Sequence, residues 1–175
     1  MLVLENIDDL FEKPHITSCT PGKLFPGNEQ WDELCSCLMV IEPSLNVLNK
    51  IQEAFKNPTR NIYSDQEVIN IAYPEWQYQK ELHLGQEYGV FYNYVWYYSE
   101  HCGYTYPGEG ENSIKIVHYV GKYKPWMKLP IYRRIRKALS VLKHLKRHIN
   151  YKNSVLSKID DCYKACLEKC VLGGN

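Results

Sequence analysis

"IKIVHYVGKYKPWM", residues 114–127, is the stretch whose reading decides the rest of the chain. Ile114 to His118 is a short apolar, β-permissive run of the kind that forms a buried strand. It delivers a histidine at its end and then meets Gly121, Lys122, Lys124, Pro125 and Trp126 within eight residues. Those residue types suit one task. Glycine lets the backbone approach a ligand closely, lysine serves a phosphate as a point charge, and imidazole is a common metal ligand. The spacing His118, Gly121, Lys124 lets one loop wrap a single anion. The plain alternative is a core histidine beside a surface lysine.

Working outward, "LVL" at residues 2–4 reads as the tail of a strand, and "NIDDLFEKP" as a turn with Asn6 or Asp8 capping a short helix that Pro14 ends. "HITSCT" predicts a weak strand, "PGKLFPGNEQ" a loop, and "LCSCLMVIEP" a buried strand with Cys35 and Cys37 on one face. Ser44 caps a helix carrying Leu45, Leu48, Ile51 and Phe55 at helical spacing. "SDQEVINIAY" opens with Ser64 and Glu67 in a capping-box pattern. Residues 74–112 predict strand fragments and loops rich in Tyr and Trp, and residues 153–172 a terminal helix. Strands alternating with helices argue for an α/β fold.

The chain has 175 residues, 21 Lys plus Arg against 20 Asp plus Glu, so charge gives no reason to expect a nucleic-acid partner. Fifteen tyrosines and four tryptophans suit either a carbohydrate surface or a core of partly buried rings. Seven cysteines, with no basic n-region ahead of "MLVLENIDDLF", predict reduced thiols and a cytoplasmic location. No apolar run is long enough to span a bilayer. Cys162, Cys166 and Cys170 form a stripe on a helix, which suits packing better than zinc, whose sites pair ligands at tighter spacing. After Pro130, "IYRRIRKALSVLKHLKRHI" is a basic amphipathic helix with no acid. It fits either a peripheral contact with anionic lipid through residues 131–149, or a terminal helix docked by its apolar stripe.

The order "NIDDLFEKP", "CLMVIEPS", "SDQEVIN" and "IKIVHYVGKYKPW" resembles glycosyltransferase family 8, the glycogenin-like enzymes, over residues 1 to about 126. The resemblance implies part of a GT-A-like, nucleotide-sugar-binding mixed-sheet fold in residues 1–129, with residues 130–175 as a helical extension. It implies a retaining, metal-dependent hexosyl transfer from a UDP-sugar to a glycan or protein acceptor. His118 would be a ligand of manganese, and Gly121 and Lys124 would meet the diphosphate. Asp65 would bind sugar or acceptor hydroxyls, and Gln66 would lie near the anomeric carbon opposite the leaving group. Chemistry agrees, since a divalent ion and an ammonium both neutralise a departing diphosphate.

Two departures shape the expectation. Where the family has Asn-Ser-Gly, this chain has Cys35-Ser36-Cys37, so only Ser36 matches as a substrate-binding residue. The family's Asp-x-Asp metal pair, which would precede the segment resembled by "LVLENIDDLF", has no counterpart here; Asp8 and Asp9 are adjacent and belong to the turn. The sequence is therefore expected to represent the carboxyl-terminal part of the enzyme, lacking the Rossmann half. An oligomer, or the missing half, would complete it. The alternative is a non-catalytic remnant or subunit that binds a partner chain.

Overall fold

A computed structural model describes residues 1–121 and 154–172, with isolated positions 124, 126, 127, 131, 132, 135 and 139 between them. The expected strand over 114–118 forms as β3 (Ile116–His118). It lies centrally in a three-stranded sheet between β1 (Leu2–Val3), which it meets antiparallel, and β2 (Val90–Phe91), which it meets parallel. The register sets Leu2 and Val90 beside Val117, and Phe91 beside His118. Successive side chains of a strand point to opposite faces, and β3 uses both. Val117 and Ile114 join one cluster with Leu2, Val90, Val95 and Tyr98, whereas Ile116 joins another with Leu10, Cys19, Leu84 and Tyr88.

The helices follow their caps. In α1 (Leu45–Lys56) the Ser44 hydroxyl accepts from the Val47 N–H at 3.2 Å. In α2 (Asp65–Ala72) the capping box closes, with the Ser64 N–H donating to Glu67 at 2.8 Å. Both satisfy helix N–H groups that would otherwise lack partners. α1 and α2 share a third cluster with Ile16, Leu34 and Trp76. Ile16 takes a positive φ of 65°, rare for a β-branched residue. It is held by its N–H bond to the Val40 carbonyl at 2.7 Å and by the Trp76 indole N–H on its own carbonyl at 3.0 Å.

Three sequence expectations fail, the first being "HITSCT", which is turn and loop with isolated bridges at Ser18 and no strand. "LCSCLMVIEP" is not a strand: residues 36 and 37 are a turn, and the segment meets residues 16–19 through a few backbone bonds and one isolated bridge, Ser18–Met39. The Ser18 hydroxyl lies 3.0 Å from the Cys35 carbonyl and 2.8 Å from that of Leu38, so its one proton is shared between carbonyls on both sides of the turn. Residues 74–112 also hold α3 (Val95–His101), a helix drawn from the aromatic run. Val95 and Tyr98 recur at helical spacing and are fully buried, so tertiary packing overrides the β propensity of the rings.

The terminal helix, α4 (Val155–Leu172), contributes Val155 and Ile159 to the same cluster as Val117. The Tyr92 hydroxyl donates to Asp160 at 2.7 Å, and Lys158 pairs with Glu109. On α1, by contrast, Leu45, Leu48 and Phe55 remain exposed. Ile159→Ala is expected to cost about 2–5 kcal/mol in urea unfolding, as for a core aliphatic residue. A loss within experimental error would mean that α4 is an independent appendage.

Candidate functional site

The turn after β3 is built from the strand outward. His118 shares a sheet face with Ile116, where its ring lies 5.9 Å from Phe91. It is half-buried, and its Nδ1 is buried with no hydrogen-bond partner among the described residues. Burial, with the ammonium groups of Met1 and Lys124 adding to it, lowers its pKa below the ordinary 6.5. The imidazole is thus held neutral, as a ligand or acceptor must be. Gly121 follows with φ 91°, a conformation that side chains resist, and open space where a Cβ would stand. The Lys124 ammonium folds back onto the Tyr119 carbonyl, and the Met127 N–H closes the turn on the Lys124 carbonyl at 3.1 Å. His118, Gly121 and Lys124 therefore belong to one compact turn, with a buried free nitrogen at one end and a cation at the other.

Asp65, Gln66 and Ser36 form a second group. The Asn70 side chain clasps residue 34, accepting from the Leu34 N–H at 3.0 Å and donating to the Leu34 carbonyl at 2.8 Å. That clasp ties the 34–38 segment to α2 and sets Asp65 near enough for its charge to act on the Cys35 thiol. Asp65 is exposed and makes no hydrogen bond or ion pair among the described residues; Gln66 is half-exposed beside it. Asn70 gave no sequence signal beyond its helical position, and its role emerges only from the fold. Phe91, which faces His118, was equally anonymous within the aromatic run.

One cluster adjoins segments that carry both groups. Cys37 and Leu38 pack against the cluster that holds Ile116, two residues before His118. Cys35, Cys37 and Cys19 are linked there, the Cys37 thiol bonding toward Cys19 and the Cys37 N–H meeting the Cys35 sulfur at 3.4 Å. Hydrogen bonding to the neighbouring sulfur, followed by burial, raises the thiol pKa at both Cys35 and Cys37. These thiols stay protonated and serve as packing. An open groove of about 280 Å³ borders α2, lined by Glu33, Arg60, Asn70 and Gln77 among others, and contains none of the residues singled out in the sequence.

Manganese does not fit the described residues alone. Among them no three His, Cys, Asp or Glu side chains gather as a metal requires. His118 offers one imidazole with cations nearby, whereas a hard divalent ion seeks carboxylate and carbonyl oxygens. No protein-family model matches the chain, and no curated protein matches it. No helix among the described residues is long and apolar enough to cross a membrane.

Two outcomes follow. A histidine whose folded pKa lies below its unfolded value binds fewer protons when folded. Its contribution to stability is therefore complete above the ordinary 6.5 and is lost as pH falls from there through the lowered folded value. Two-dimensional NMR should show His118 titrating below 6.5 and moving up in Lys124→Ala; a normal, unmoved titration would refute the assigned environment. Thiol labelling of the folded chain should modify exposed Cys166 and Cys170 quickly, and Cys19 and Cys35 only on unfolding.

Proposed function

We propose that this chain carries the carboxyl-terminal part of a retaining family 8 glycosyltransferase domain, which moves a hexose from a UDP-sugar to a glycan or protein hydroxyl. The observation that carries this reading is the turn after β3. A neutral imidazole with an orphaned nitrogen, a glycine with positive φ and a half-buried lysine stand in sequence, as an anion-binding loop needs. In this reading Lys124 exchanges its bond to the Tyr119 carbonyl for a diphosphate oxygen, and Gly121 admits the phosphate to the backbone. Asp65, without a partner among the described residues, accepts hydrogen bonds from sugar hydroxyls, with Gln66 alongside and Ser36 in the 36–37 turn. The divalent ion of the completed enzyme would take its carboxylate ligands from outside the described residues, with His118 as one further ligand.

A second reading has a specific observation behind it. The apolar stripe of α1 is exposed at Leu45, Leu48 and Phe55, and Val3 is exposed on β1, whose sole strand partner among the described residues is β3. That surface suits a non-catalytic subunit whose task is to bind a partner chain.

Calorimetric titration with UDP, with and without manganese, separates them. The enzyme reading expects UDP to bind, with Lys124→Ala weakening UDP about tenfold or more and uridine hardly at all. In a completed enzyme His118→Ala should abolish the manganese dependence of that binding. Equal losses for UDP and uridine would mean that Lys124 does not face phosphate. No binding under either condition would favour the subunit reading.

A further inference from the structure

Among the described residues of the basic stretch, the apolar positions stand exposed rather than packed into the core. Positions 131, 132, 135 and 139 are helical, and Ile131, Ile135 and Leu139, four apart on one face, are 75%, 56% and 55% exposed. Tyr132 is exposed beside them, as are Trp126 and Met127 in the preceding turn. The remaining positions of residues 131–149 lie outside the described residues, so their part here is sequence alone. Globular proteins normally bury such a stripe. Left in water, it asks for an occupant.

Charge selects that occupant. Residues 131–149 contain seven Lys and Arg and no acid, four of the seven (Arg133, Arg134, Arg136 and Lys137) falling between Ile131 and Leu139. All 20 acidic residues lie elsewhere, against 14 of the 21 basic ones, so the chain is polarised despite a net charge of +1. An anionic bilayer answers both features. Aliphatic side chains enter the acyl boundary, tryptophan and tyrosine rest at headgroup level, and lysine and arginine meet the lipid phosphates and carboxylates. The same field repels the acidic remainder, which orients the molecule with this face down. A second copy would instead set one basic stretch against another.

We propose that Ile131, Tyr132, Ile135 and Leu139, with Trp126 and Met127, form a lipid-contact face that holds the protein peripherally on an anionic membrane. The proposal is independent of the glycosyl-transfer reading.

The test is co-sedimentation of the full chain with phosphatidylcholine vesicles, with or without phosphatidylserine. Binding is expected with the anionic lipid only, falling about tenfold as salt rises from physiological to roughly half-molar. Ile135→Asp combined with Leu139→Asp should abolish it without changing the circular dichroism spectrum, since both side chains are exposed. Arg133→Glu with Arg134→Glu should weaken it while leaving the apolar face intact. Binding indifferent to lipid charge, no binding at all, or binding unchanged in the Asp variant would each overturn the proposal. So would a dimer that the same Asp substitutions dissolve, because a second copy would then cover the face.

Discussion

Everything described depends on the two-faced use of β3. Three residues long, it leaves no spare position: Val117 closes one cluster and Ile116 the other, so a one-residue slip would exchange them. The strands on either side contribute two residues each, too few to fix a register by hydrogen bonds alone. Packing fixes it instead. Val155 and Ile159 of α4 join the cluster of Val117, and Leu10, Leu84 and Tyr88 that of Ile116. His118 inherits its face from this arrangement. Its environment is thus a consequence of core packing two residues away rather than of a local motif.

The same logic explains why the polar groups sit as they do. Hydrogen bonds that tie loop to helix, such as the Asn70 clasp on Leu34 and the Ser18 hydroxyl bonds across the 36–37 turn, stand in for sheet that the sequence does not form there. They consume backbone groups that would otherwise be buried unpaired. Asp65 escapes such duties because Ser64 and Glu67 close the helix start between themselves. His118 Nδ1 escapes because burial removes it from water without supplying a partner among the described residues. The hydroxyls of Thr17, Tyr119 and Tyr163 are also buried without a partner among the described residues, so it is the imidazole's chemistry, together with its place before Gly121 and Lys124, that marks His118 as a candidate.

How much of this was legible follows from the range of the forces involved. Short-range signals read well: Ser44 and Ser64 cap helices where expected, and the apolar run before His118 is a strand. Long-range choices did not. "LCSCLMVIEP" has the composition of a buried strand, yet Ser18 reaches across from a distant segment and holds it as a turn. "VWYYSEH" has β-type rings, yet only a helix can bury Val95 and Tyr98 together in the cluster beneath β3. The turn residues His118, Gly121 and Lys124 were visible as a motif, but the orphaned Nδ1 needed the fold. That no three metal-ligating side chains gather around His118, among the described residues, likewise depended on the fold.

The candidate site and the proposed lipid face are physically continuous. Trp126, one of the exposed rings, meets Tyr119 edge-on at 6.2 Å, and Tyr119 is the residue whose carbonyl holds Lys124. Tyr119 is itself buried against Tyr92 and Tyr163, so α4 supports the base of the turn. A bilayer that draws Trp126 to headgroup level therefore acts on a ring in contact with the residue that positions the candidate phosphate ligand. In that arrangement lipid and diphosphate would compete for neither side chain, because Trp126 serves the membrane and Lys124 the anion. Anchorage would bring the Lys124 end of the turn close to the membrane surface.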